Sequence, residues 1–336
     1  MGAIEWVTEE DDYVCPLSEE TQKMAKEELR EDKNTRDQAL EQMRNWVKMN
    51  PRIENSRLDG QFLLRFLRCK KFNVPMAEEA LERYLLLRQV YHPAFNNLDI
   101  NDPTMQELLS LGYLFAVPGR DAKGRRVIVA RPGVFDPQKY TNADMCRIHA
   151  ITYEALMEDE ESQVRGFVHF GDGAGVSFPH LTLFTPKEAV RIVKNGERTI
   201  PMRHKEIHGI NAHPSVKFAL DFGMSLISEK IKKRVKIYTS LEDAINRKMD
   251  PSLLPKEYGG TIPMKEMIDL WKKELLEIRP TLLSHDKMRV RIELYSEKAR
   301  EGAVSALKQG FGCSNVGSSD STMYGISGSF RKLEVD

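Results

Sequence analysis

Net charge is the first thing this chain lacks: 50 Lys and Arg residues balance 50 Asp and Glu. Overall charge therefore offers no pull on nucleic acid, and any electrostatic function has to come from local clustering. Cysteine is scarce. Cys15, Cys69, Cys146 and Cys313 stand far apart, which gives neither a metal-ligand spacing nor a disulfide framework and points to reduced thiols. No run approaches the ~18 apolar residues that a spanning helix needs. The acidic opening MGAIEWVTEEDDYVC has no basic flank followed by an apolar stretch, so it does not read as a secretory leader. Myristoylation and prenylation patterns are missing as well, and the expected location is the cytoplasm.

Catalytic signatures are also missing. The turn Gly171-Asp172-Gly173-Ala174-Gly175 is not followed by GK[ST], as a phosphate loop would be. Nor does a helix open at its third glycine, because Val176, Ser177, Phe178 and Pro179 intervene, which rules out a dinucleotide fingerprint. The histidines form no HExxH pair, and no GxSxG elbow occurs. We expect a protein that is not an enzyme and has no cofactor or metal.

What is present is helical punctuation followed by alternation. Residues 1–19 are acidic and irregular and are expected to be disordered. Residues 20–100 read as a small helical domain. Thr35 and Gln38 suggest a capping box, Phe62, Leu63, Phe66 and Leu67 share one helical face, and Pro75 sits in a first turn. From Asp102 short apolar strands alternate with helices. Strands are expected at 113–117, 126–130, 166–170, 206–211 and 235–239, and helices at 141–160, from Thr185, at 214–228 and after Ser240. That order predicts an α/β domain over 101–280, a sheet covered by helices. Residues 281–336 read as a helical extension and a Gly/Ser-rich tail too poor in apolar residues to pack.

Two segments stand out. In helix 214–228, Val216, Leu220, Gly223 and Ile227 fall on one side, yet Phe218 and Phe222 fall on roughly the opposite side, where a surface helix should be polar. Either the helix is buried on both sides, or it is a lid with one face toward a cavity and the other toward a membrane interface. Directly after it, SEKIKKRVK packs five cations into seven positions, from Lys230 to Lys236. A charge run is usually a solvated face, but beside exposed aromatics it also suits an anionic membrane surface.

Residues 58–72, LDGQFLLRFLRCKKF, together with Gly166–Asp172, IHGIN at 207–211, SEKIKKR at 228–234 and LLPKEYGG at 253–260, resemble the CRAL-TRIO lipid-binding family, above all its subgroup of tocopherol and retinaldehyde carriers and clavesins. The resemblance implies a mixed-sheet floor, covering helices and a mobile gate helix, here 214–228. It implies a cargo such as a tocopherol, a retinoid or a related lipid, and transient docking on endosomal or other phosphoinositide-bearing membranes. Carried over position by position, the phosphoinositide site falls on Lys70, Arg203, Lys205, Lys230 and Arg234. One further basic position of that site is Glu79 here. Met202 stands where phosphatidylinositol exchangers of the superfamily carry an acid, which argues against inositol lipid as the cargo. Expected cavity walls are Val129, Phe167 and His169 from the strands and Ile148, Ile151 and Ala155 from the 141–160 helix, closed by Val216, Leu220, Gly223 and Ile227, with Phe218 and Phe222 as membrane contacts. The competing readings are a phosphoinositide-sensing trafficking adaptor and an enzyme or its cargo-presenting accessory.

Overall fold

The computed structural model describes residues 6–212, 217–247 and 249–300. Its first part is helical: α1 (Glu19–Met24), a π-helical turn (Ala25–Leu29), α2 (Lys33–Met49), α3 (Gly60–Cys69), α4 (Val74–Val90) and α5 (His92–Phe95), with the short strand β1 (Ile53–Asn55) between α2 and α3. Then come α6 (Pro103–Ser110), β2 (Leu114–Ala116), β3 (Arg126–Ala130), α7 (Asn142–Met157), α8 (Glu160–Arg165), β4 (Phe167–Asp172), α9 (Phe178–Leu181), α10 (Pro186–Thr199) and β5 (His204–Ile210). The last stretch holds α11 (Lys217–Leu226), α12 (Glu229–Lys232), β6 (Val235–Ile237), α13 (Leu241–Asn246), α14 (Met264–Ser284), β7 (Arg289–Val290) and α15 (Glu297–Arg300).

The helices begin where side chains satisfy their open N–H groups. Asp59 accepts from Phe62 N at 3.0 Å and starts α3. Thr141 with Asp144, and Thr185 with Glu188, form reciprocal capping boxes on α7 and α10. At α2 the cap is Asp32, which accepts from Thr35 N at 2.9 Å, so this helix starts at Lys33, ahead of the box expected at Thr35. The sheet runs β2-β3-β4-β5-β6. Its β2–β3 pair is antiparallel and the rest is parallel, joined by helical crossovers. The expected α/β class with a mixed sheet and a helical N-terminal region is what the chain adopts.

Two boundaries differ from the sequence reading. Residues 6–18 are not loose: Trp6, Val7 and Tyr13 pack on the N-terminal core, and Thr8 donates to Asp59 at 2.7 Å. Acidic composition hid the few apolar and hydroxyl side chains that fasten this stretch. Toward the C-terminus, α14 runs through Pro280 to Ser284. The chain then returns to the helical region, where β7 pairs antiparallel with β1 and Met288, Val290 and Tyr295 enter its core. The Gly/Ser-rich tail lies outside the described residues.

The helical region and the sheet domain meet across buried charge. Glu154 and Glu158, one turn apart on α7, face α3 and α4. Arg57 donates to both oxygens of Glu158 at 2.6 and 3.2 Å. Arg65 donates to Glu158 at 2.6 Å and to Glu154 at 3.1 Å, and the Tyr84 hydroxyl adds a bond to Glu154 at 2.7 Å. Arg68 grips Glu31 through two nitrogens, at 2.9 and 2.8 Å, and reaches Glu160 at 2.7 Å. Burial works to raise the Glu158 carboxyl, but Arg65, His285 and Arg57 overcome it and hold the group well below the usual carboxylate range.

Arg65→Ala would leave two buried carboxylates short of a partner, at a cost of about 3–5 kcal/mol. Urea denaturation checks this, and a loss below about 1 kcal/mol, the value of an exposed pair, would show that the bridges carry little.

Candidate functional site

Arg203 leads into strand β5, which begins with His204 and Lys205. His204 pairs with Phe167 and Glu206 with Val168, so Lys205 is an extra residue on this strand, a β-bulge that re-aims its side chain. Gly166, at φ +85, makes the close approach possible. A Cβ there would stand 2.5 Å from the Arg203 carbonyl oxygen and 2.8 Å from Lys205 Cγ. Arg203 and Lys205 turn outward, and both donate to one carboxylate oxygen of Glu28, at 2.6 and 2.8 Å. Arg234 donates to the His204 carbonyl, which fastens the segment around α12 to β5.

Lys70, Arg203 and Lys230 all bear on the Cys69 thiol, and Arg203 and Arg234 bear on Lys230 and Lys205. The five basic residues expected in one site therefore lie in one neighbourhood, around Cys69 and Lys205. Burial lowers the pKa of Lys230 and the neighbouring cations lower it further. Among the described residues, Lys230 has no carboxylate partner. Glu79, the acidic departure, is tied to Arg83 on its own helix.

His204 turns the other way, inward. It meets His169 with ring nitrogens 2.8 Å apart, and the two ring centroids are 4.9 Å apart. From there a ladder of rings continues through Tyr153 (6.2 Å) to His149 (5.6 Å) and Tyr113 (5.7 Å). The last three rings border a largely apolar cavity of about 450 Å³. Leu87, Tyr91 and Phe95 close it from the helical region, Met145, Cys146 and Ala150 from α7, and Phe184 and Ile200 from around α10. His149 Nδ1 donates to the Met145 carbonyl at 2.9 Å, which leaves Nε2 as an acceptor. Burial lowers His149, His169 and His204; for His204, Arg234 adds to the effect and the value reaches about 4. At neutral pH the ladder is uncharged.

Helix α11 packs on α10, and none of its described residues is buried. Phe218 is 59% exposed, Phe222 42% and Leu220 38%. A Cβ at Gly223 would meet nothing within 4 Å. This excludes burial on both sides, and it also corrects the expected inward stripe: Leu220 is exposed, and Gly223 and Ile227 are only half-buried among the described residues. Val216 lies outside the described residues.

A CRAL/TRIO domain model matches residues 111–260, and a Pinta-like UBA domain model matches residues 32–105. The human alpha-tocopherol transfer protein-like protein is 33% identical over 250 residues, covering 74% of this chain and 72% of its own. The chain belongs to the CRAL/TRIO family. Human clavesin-2 is 30% identical over 261 residues (78% of this chain, 80% of its own), and clavesin-1 of Xenopus laevis is 28% identical over 260 (77% and 78%). The crystal structure of Sfh5 overlays at a TM-score of 0.49 with 12% identity, covering 74% of this chain and 99% of that one, too distant to add to the assignment.

Within this CRAL/TRIO domain the expected cavity walls need correction. Val129, Ile148, Ile151 and Phe167 have no exposed surface at all, and Ala155 is buried; all five belong to the main core, and none of them is among the residues that line the cavity described above. The helical period explains the error. On α7, residues 148, 151 and 155 share one face, and 145, 149 and 153 lie on the other. His169 does retain accessible surface and touches the ladder. Sequence reading missed His149 and Tyr153, although two polar aromatics four apart opposite an apolar stripe were the available signal. It also passed over Phe178, 63% exposed at the start of α9. Among the described residues, no group of three His, Cys, Asp or Glu is placed to hold a metal ion, and no helix is long and apolar enough to cross a membrane.

The ladder makes stability depend on pH. Above 6.5, its usual value, His204 is neutral in both states; between 6.5 and about 4 only the unfolded chain takes the proton. Stability is therefore lost as pH falls through that window, by about 2 kcal/mol at pH 5 from this residue. Urea midpoints at pH 7.5 and pH 5 should show the loss in the wild type and a smaller loss in His204→Gln. Equal losses in both proteins would contradict the assignment.

Proposed function

We propose that this CRAL/TRIO protein carries one hydrophobic molecule with a single neutral polar group and exchanges it at phosphoinositide-containing membranes. What supports this reading is an apolar cavity that a ring ladder joins to the strand carrying the outward cations, together with an aromatic helix packed on α10, which borders the same cavity. A volume of about 450 Å³ falls in the range of small-molecule pockets, which are mostly apolar with a few polar groups that fix orientation. The neutral histidines and tyrosines suit a hydroxyl or carbonyl better than a charged headgroup. Tocopherols and retinoids have that character, and the name of one relative, the alpha-tocopherol transfer protein-like protein, agrees with the former.

A cargo burying on the order of 400 Å² of apolar surface gains about 10 kcal/mol before the costs of association. Release into water forfeits that gain, whereas release into a bilayer does not, so membrane contact is the natural trigger for exchange. In this reading Lys70, Arg203, Lys205, Lys230 and Arg234 hold phosphorylated headgroups, and Phe178, Phe218 and Phe222 enter the interface. The chemistry asked of the chain is binding and release, with no bond made or broken.

Two kinds of variant test this. Lys70→Glu with Lys230→Glu should weaken binding to phosphatidylcholine vesicles containing phosphatidylinositol bisphosphate at least tenfold, since each cation near an anionic surface is worth about 1 kcal/mol. Phe218→Ser with Phe222→Ser should slow movement of a fluorescent tocopherol between vesicle populations while leaving its affinity unchanged. A collapse of affinity would place those rings against cargo or core. Vesicle binding with no transfer at all would favour a trafficking adaptor.

A further inference from the structure

The cationic surface is already holding an anion, and that anion is part of the chain. Arg203 Nη2 and Lys205 Nζ both donate to the same oxygen of Glu28, at 2.6 and 2.8 Å. Two cations meeting at one oxygen is the grip that a phosphate oxygen would receive. Burial works to raise the Glu28 carboxyl, but the bonds from Lys205 and Arg203 keep it below its ordinary value, so it stays charged.

The main chain beneath Glu28 is fixed. It lies in the π-helical turn Ala25–Leu29, which ends at Arg30 in the left-handed region, φ 67. Ala25 and Leu29 are buried with Leu17 and Val164. Single π-helical turns are uncommon and recur at functional sites. The Glu28 side chain itself is 41% exposed, so it can leave its partners by changing rotamer without disturbing that anchor. Its other carboxylate oxygen has no partner among the described residues. Nearby, Lys230 has no carboxylate partner among the described residues either.

We propose that Glu28 is an internal competitor that sets the threshold for docking: it occupies Arg203 and Lys205 in the free protein and lowers, by one common factor, the apparent affinity of every anionic headgroup that has to displace it. This rests on the docking reading given above and adds a rule to it. A tethered carboxylate competes at high effective concentration. A headgroup with one negative charge offers no better partner than Glu28 does. A phosphomonoester brings close to two negative charges and three acceptor oxygens, enough to take the Arg203–Lys205 grip and engage Lys230 as well. Selectivity between headgroups then comes from their own contacts, and Glu28 raises the threshold those contacts must pass.

The test uses the full chain and three vesicle types: phosphatidylcholine alone, with phosphatidylserine, and with phosphatidylinositol 4,5-bisphosphate, at about 0.15 M salt. Glu28→Gln and Glu28→Ala are compared with the wild type by co-sedimentation, with thermal midpoints as a folding control. Glu27→Gln, the same loss of charge one residue away, is the control. Both Glu28 variants should bind bisphosphate vesicles about five- to thirtyfold more tightly, with no larger gain on phosphatidylserine, and Glu27→Gln should gain less than about threefold. A gain as large in Glu27→Gln would reduce Glu28 to one bulk charge and overturn the inference. Unchanged binding to both, with Lys230→Glu still weakening bisphosphate binding, would overturn the inference and leave the docking reading standing. If no protein binds bisphosphate vesicles, the docking reading itself fails.

Discussion

Glu154 and Glu158 lie on the same face of α7, out of water, and can be there only because Arg57 and Arg65 are buried with them. Removing ions from water costs several kcal/mol each, and mutual attraction repays it only when geometry and hydrogen bonding are nearly complete. Here they come close to it: Tyr84 and Arg88 serve Glu154, His285 packs beside both carboxylates, and Gln61 donates to the Glu158 carbonyl. The same signature helix supplies Arg68 to Glu31 and Glu160. Such an interface tolerates little sliding. A hydrophobic contact between the same helices could shift by a rotamer, whereas these guanidinium pairs have one good register.

Holding α7 in register holds everything that matters on it. Its apolar face, with Ile148 and Ile151, closes the core. Its other face, with Met145, His149 and Tyr153, meets α4, α5 and α10 across the cavity. The sheet contributes the link to the surface. Because β5 carries a bulge at Lys205 against the glycine at 166, neighbouring residues of one strand serve two compartments: Arg203 and Lys205 face outward, and His204 faces His169 and the interior. A cation site and a cavity are thereby built from consecutive residues of one rigid strand, which positions a site more closely than a loop can.

Much of this was legible in the sequence. The helices expected at 141–160 and from Thr185 are α7 and α10, since the chemistry of a helix start is local. The alternation of short apolar runs with helices announced the mixed sheet. The two-sided apolar pattern of α11 left burial on both sides and a lid open, and the exposure of Phe218 and Phe222 decides against the first. What stayed hidden depends on distant partners. Nothing near Val290 says that it pairs with Ile53, and nothing in the acidic N-terminus says that Tyr13 reaches Glu160. The choice of face on α7 was lost because both faces are apolar enough to bury. Glu28 was invisible for the same reason: an acid in a run of charged residues reads as solvated until its position opposite Arg203 is known.

The most direct measurement is mass spectrometry of organic extracts from the protein purified from its native source. The account predicts one predominantly apolar molecule, bearing a hydroxyl or carbonyl, at close to one equivalent per chain. A phospholipid with a charged headgroup at that stoichiometry, or a cavity that yields no lipid from protein that still moves none between vesicles, would contradict it.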